Sequence, residues 1–284
     1  MKKCLLILSV FMTPVFTPRA LATFASAVIS FDSGTGALEG YDNAQAALGQ
    51  GPRDTGEFMG SVYYVTPFNS PYSTDDVVSI GMVGHITLQL ANYALPLEQG
   101  PEIGVFTYQF FAQENWPNGG THETATLFRP SQQSIVSVSE DSINWVTLNG
   151  GAAIAFDIPA NAYQDTAGII ESDYGMPFTG VLSDFDNKAT VQETIDVYNG
   201  SAGGTWFDIS STGLERVGYI RFSVDDTAAY SFELESLSVA NDALGMPVPE
   251  PSSLVVLLSG SLIFRRKKSQ PDKSTKLIFW SDVT

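Results

Sequence analysis

His85-Ile86-Thr87-Leu88-Gln89-Leu90 places an apolar side chain at every second residue. Successive side chains of an extended chain point to opposite faces, so Ile86, Leu88 and Leu90 share one face and Thr87 and Gln89 the other. The period predicts a strand with one buried side. The same alternation recurs where Ile220, Phe222 and Val224 interleave with Tyr219, Arg221 and Ser223. In 231–239 the parity changes: Phe232 and Leu234 fall on one face, Leu237 and Val239 on the other. Either a β-bulge intervenes there or the segment is not one continuous strand.

Working outward from these runs, strands are expected at 61–65, 85–90, 103–111, 134–139, 144–148, 218–224 and 231–239, with clusters of Gly, Pro, Asn and Asp between them. Residues 44–48 read as a short helix. The body, 28–243, is long enough for one sizeable domain and carries no internal repeat or linker. The expected fold is all-β: an antiparallel β-sandwich of jelly-roll type, with under about a fifth of its residues helical.

Both ends differ from this body. Residues 1–27 read as an export signal, with Lys2-Lys3 as its charged start and an apolar run from Leu5 that extends through Phe16. Ala20-Leu21-Ala22 and Ala25-Ser26-Ala27 are both small-x-small cleavage candidates, and the sequence does not choose between them. At the other end Val248-Pro249-Glu250-Pro251 precedes Ser252-Ser253, an apolar run from Leu254 to Phe264, and the cations Arg265, Arg266, Lys267 and Lys268. Proline can neither continue a helix nor donate to a ladder, so the Pro-Glu-Pro triplet should be extended. A basic block after an apolar run stays on the cytoplasmic side. The run is shorter than the roughly 20 residues a relaxed spanning helix needs, so this short apolar helix should hold a membrane weakly. A polar tail, 269–284, follows.

The order of triplet, apolar run and basic block closely resembles the PEP-CTERM sorting signal of Gram-negative bacteria, here at 246–268. The resemblance implies export, brief retention in the inner membrane and processing by an exosortase. Delivery to the cell surface or an extracellular polysaccharide matrix would follow. A second resemblance covers most of the body. Tyr41-Asp42-Asn43-Ala44-Gln45-Ala46-Ala47-Leu48-Gly49, Val65-Thr66-Pro67-Phe68-Asn69-Ser70-Pro71 and Val77-Val78-Ser79-Ile80-Gly81 are similar to segments of a group of secreted bacterial surface proteins. So is 135–145, which stands where that group has a "V-x-V-S-x-D-G-x-x-W" hairpin. The clearest block is Tyr198-Asn199-Gly200-Ser201-Ala202-Gly203-Gly204-Thr205-Trp206-Phe207-Asp208-Ile209. The group looks like a discoidin-type or galactose-binding-type jelly roll without a settled activity. It often carries Asp and Asn where Phe106 and Ala112 stand here, so a cation site using those positions would be lost.

Composition narrows the chemistry. The single cysteine, Cys4, lies in the leader, so the body has no thiol for disulfides, zinc or nucleophilic attack. Between the ends, five cations face 28 acids, a net of −23. Such a surface repels nucleic acid and suits divalent cations, neutral glycans or plain solubility. A hydrolase needs a nucleophile with its base, or two facing carboxylates. His85 and His122 carry no motif and Gly-x-Ser-x-Gly is absent, so no catalytic residue is assigned. Calcium takes oxygen ligands from loops, which makes Asp184, Asp186 and Asp208 its candidates; turn capping by the same carboxylates is the alternative. Asp208, after the Gly203-Gly204 turn, is expected to bind backbone amides or a cation and to matter more to stability than Asp173. Trp116, in a polar loop, is the candidate glycan platform, while Trp145 and Trp206 are expected in the core. The leading expectation is a non-enzymatic surface or matrix protein; a carbohydrate-binding module and a secreted hydrolase follow.

Overall fold

The computed structural model describes residues 23–58, 62–115, 119–129 and 132–250. Thirteen strands form among them: β1 Thr23–Asp32, β2 Asp54–Phe58, β3 Val62–Tyr64, β4 Val78–Ile80, β5 His85–Ala94, β6 Ile103–Thr107, β7 Gln132–Ser139, β8 Val146–Thr147, β9 Ile154–Phe156, β10 Thr205–Phe207, β11 Val217–Ser223, β12 Phe232–Val239 and β13 Leu244–Pro247. Eleven of them join one antiparallel sheet in the order β10-β6-β12-β1-β5-β11-β7-β8, with β4 on β12, β13 on β5 and β9 on β7; β2 and β3 pair separately. Among the described residues the fold is mostly β, as the period-2 runs lead one to expect. Helix among them is confined to the six-residue α1, Val191–Asp196, and short 3-10 turns, one of which, Ala44–Ala47, is the expected short helix.

Each of the seven expected segments contains a strand. The parity change in β12 is a bulge: its pairing with β6 shifts register between Leu234 and Ser236, so Phe232, Leu234, Leu237 and Val239 are all buried. The sequence expectation fails at β5, which is buried on both faces rather than one. Ile86, Leu88 and Leu90 enter the core, but Thr87 and Gln89 are closed off as well. Over Thr87 lies Arg221, whose Nε donates to the Thr87 hydroxyl (2.9 Å) and whose guanidinium stacks on Trp145 (4.3 Å). Trp145 is therefore a partly exposed cover on the sheet's outer side, not a core residue.

β1 connects the two parts of the sheet. Thr23 and Phe24 pair with Val239 and Ser238 of β12, and the strand then shifts to β5, from Ala25↔Leu90 to Asp32↔His85. Thr23–Ala27, which the sequence reading leaves in the leader, thus belong to the sheet, as does β13 beyond residue 243. The apolar side of one part meets that of the other. Phe232 of β12 stacks on Phe222 of β11 (5.3 Å between centroids), and Phe156 of β9 touches Phe232 (4.8 Å) and Phe207 of β10 (5.7 Å). Such ring pairs add about 0.5–1.5 kcal/mol each beyond the area they bury.

Between β9 and β10 the chain runs irregularly through 157–204 and builds a second core, in which Phe178, Phe185 and Tyr198 pack with Phe68 and Phe111. Helix α1 opens this way because Thr190 accepts the Glu193 amide on its side chain (3.1 Å). The Thr190-Val191-Gln192-Glu193 spacing is the signal that could have found it. Gly203 and Gly204, both at positive φ (78° and 75°), form the expected tight turn, and Phe207 is buried.

Contacts divide the chain into Met1–Pro247 and Val248–Thr284. Of the second unit only Val248, Pro249 and Glu250 are described, in no strand or helix. Pro251, the apolar run and Arg265–Lys268 lie outside the described residues, as do 1–22. Among the described residues no helix is long and apolar enough to cross a membrane.

Candidate functional site

The segment joining β11 to β12 is shaped by its own sequence. Asp225 accepts the Thr227 amide (2.8 Å) and hydroxyl (2.5 Å), and the Ala228 amide closes on the Asp225 carbonyl (3.2 Å). The Thr227 hydroxyl, helped by its amide, holds the Asp225 carboxyl below the usual carboxylate range. This Asx turn lifts Ala228, Ala229 and Tyr230 into a ridge. Tyr230 is 57% exposed. A cleft lies on each side, one of about 580 Å³ walled by Gln133, Ile135 and Ala152, the other of about 360 Å³ floored by Leu38 and Met82.

The floor of the smaller cleft depends on two loops packed backbone to backbone. Thr35 and Met82 exchange amide hydrogen bonds (2.9 and 2.8 Å). A Cβ on Gly34, at φ 68°, would meet the Met82 carbonyl at 2.5 Å, and one on Gly81 would meet the Thr35 carbonyl at 2.3 Å. Only glycine admits this approach.

Arg129 forms the cleft's rim and is held in place from below. Glu233, fully buried on β12, accepts Arg129 Nη1 (2.6 Å) and Gln132 Nε2 (2.7 Å) on Oε2 and the Ser231 hydroxyl (2.6 Å) on Oε1. Gln132 closes the loop, its Oε1 accepting the Glu233 amide (2.9 Å). The guanidinium also lies over the Tyr108 ring (5.4 Å). Burial pushes the Tyr108 hydroxyl above its ordinary pKa, against the opposing pull of Arg129. Phe128, the residue before Arg129, is exposed and stacks on Phe110 at 4.7 Å and 17°. An aromatic ring, a fixed cation and loop hydroxyls at one edge can together hold a ligand that has an apolar face and polar substituents.

Tyr230, Phe128, Arg129 and Glu233 were not singled out by sequence, while Asp225, read with Asp226 as closely spaced oxygens for calcium, caps a turn instead. Tyr230 and Phe128 carry no periodic signal, and the Arg129–Glu233 pair spans 104 positions. The sequence candidates have other places. Asp184 accepts the Val181 amide (2.8 Å), Asp186 the Ala125 amide (2.7 Å), and Asp208 the Ser210 amide (2.7 Å). Among the described residues no group of three or more His, Cys, Asp or Glu is placed to hold a metal ion. Asp173 is held more firmly than Asp208, accepting both the Gly175 amide (2.8 Å) and Asn241 Nδ2 (3.1 Å). Asp173 thus joins segments distant in sequence, which favours a ranking opposite to the expected one. Phe106 is fully buried against Tyr174 (4.8 Å), and Trp206 packs half-buried beside both cores and donates Nε1 to Gly203 O (2.8 Å). Trp116 lies outside the described residues.

No protein-family model matches the chain, and no curated protein matches it either. The ridge and its clefts therefore carry the functional reading by their own geometry.

Proposed function

We propose that the chain is an exported, non-enzymatic protein of the surface or extracellular matrix of a Gram-negative-type bacterium. Its body is a jelly-roll-type sandwich that binds a neutral saccharide across Tyr230. The tail is a PEP-CTERM-like signal: Pro249-Glu250-Pro251 is presented to an exosortase while the apolar run dwells in the inner membrane and Arg265–Lys268 stop translocation. Export rests on the order of these sequence features. The binding role rests on one observation, the 57% exposed Tyr230 between two clefts with Arg129 fixed beside it. A pyranose ring offers Tyr230 an apolar face, and its hydroxyls suit the Arg129 guanidinium and the Ser231 and Thr227 hydroxyls. A neutral polysaccharide also meets no repulsion from a strongly acidic body.

The test is a glycan array probed with wild type and Tyr230→Ala, with and without calcium. The wild type should bind a neutral glycan, and the variant should lose about 2 kcal/mol, roughly 30-fold, at unchanged melting temperature. Equal binding by both proteins would refute the site. The calcium arm tests Asp184, Asp186 and Asp208 as ligands. Sorting is tested separately by Glu250→Ala, which should leave the chain exported but unsorted in an exosortase-bearing host.

A further inference from the structure

We infer that the leader is removed between Ala22 and Thr23, not after Ala27. The inference rests on the export reading. Both Ala20-Leu21-Ala22 and Ala25-Ser26-Ala27 present small residues at the positions a signal peptidase reads. The enzyme acts on the unfolded chain during translocation, so burial in the finished fold protects neither bond. What the fold does distinguish is the two products.

A chain beginning at Val28 lacks the pairs Thr23↔Val239 and Phe24↔Ser238, which are the whole of the β1–β12 register, together with Ala25↔Leu90 and Ala27↔Gln89. Ser238 and Val239 are fully buried, so their backbone groups facing β1 would lose partners where water does not reach them. The Gly49 amide would lose the Ala25 carbonyl (2.9 Å), and Asn92 Oδ1 the Thr23 hydroxyl (2.9 Å). The Phe24 ring, set edge-on to Tyr174 at 6.4 Å, would leave a void in the core beside it. A chain beginning at Thr23 keeps all of these. The step is a hydrolysis by the exporting host's signal peptidase. Water adds across the Ala22–Thr23 peptide bond, leaving a carboxylate on Ala22 and an amine on Thr23.

The experiment is to express the full chain in a Gram-negative exporting host and read the N-terminus of the exported protein by mass spectrometry. Thr23 is expected. Val28 would overturn the assignment while leaving export intact. An uncut Met1 terminus on a chain confined to the cytoplasm would overturn the export reading and this inference with it. Two variants sharpen the result. Ala22→Leu should abolish the Thr23 terminus, and Ala27→Leu, at a partly exposed strand position, should leave it unchanged. The opposite pattern would refute the assignment.

Discussion

Glu233 and Glu235 lie on the same strand, one residue apart from being neighbours, and both are closed off from solvent, at 0% and 1% exposure. Their surroundings differ completely. Glu233 accepts hydrogen bonds from Arg129, Gln132 and Ser231. Glu235 sits at the β12 bulge, and its Oε1 has no hydrogen-bond partner. Burial pushes its carboxyl well above the ordinary range, and the charge of Asp76 pushes it further. A carboxylate enters a protein interior as an ion only where donors converge on it; elsewhere it keeps its proton. The first acid anchors the candidate site, while burial favours the protonated form of the second.

Arg129→Ala should break this contrast most severely, because it leaves Glu233 buried with its main cation gone. The expected cost is about 3 kcal/mol. At about 2–4 °C per kcal/mol for a domain of this size, melting should fall by about 6–12 °C, read by calorimetry. A fall no larger than that of an exposed control such as Glu98→Ala would show that the pair is not what holds Glu233.

Glu235→Gln should act in the opposite direction and depend on pH. Below the ordinary glutamate pKa of about 4.3 both folded and unfolded chains hold the proton, so the substitution changes little. Above it the unfolded chain ionises while the folded chain still holds its proton, so wild-type stability falls as pH rises toward the raised folded pKa. The Gln variant escapes that loss. Its advantage should grow as pH rises from about 4 toward the raised folded pKa. Parallel melting curves across that range would sink the assignment of a neutral Glu235.

The same dependence on donors ranks two weaker acids. Asp173→Ala should cost about 1–2 kcal/mol, since it loses Gly175 and Asn241, and Asp208→Ala about 0.5 kcal/mol, since one exposed amide contact is lost. Urea denaturation would separate them, and the reverse order would restore Asp208 as the more important residue. The smallest effect is a gain. Ser142 stands at φ 62° in the hairpin between β7 and β8, a left-handed backbone that favours glycine. Asp141 caps that turn by accepting the Ile143 and Asn144 amides (2.9 and 2.8 Å), which hold its carboxyl far below the usual range. Ser142→Gly should stabilise by about 0.5–1 kcal/mol, seen as a small rise in melting temperature. No rise would mean that the turn tolerates the serine without strain.

Local alternation was enough to read the strands, because side-chain direction in an extended chain follows from position alone. Ile86, Leu88 and Leu90 announce β5, and the parity change around Glu235 announces an irregularity that the register shift identifies as a bulge. Composition likewise determined the acidic body without cysteine, and the order of features in the tail supports the export reading. Tertiary structure alone decided the rest. It placed Thr23–Ala27 inside the sheet, since alanines and serines carry no pattern until β5 and β12 come to flank them. It buried the polar face of β5 under Arg221 and Trp145. It brought Arg129 to Glu233 across 104 positions and set Tyr230 between two clefts. A site built from residues far apart along the chain leaves no spacing to read, because its geometry exists only once the sheet has closed the distances between them.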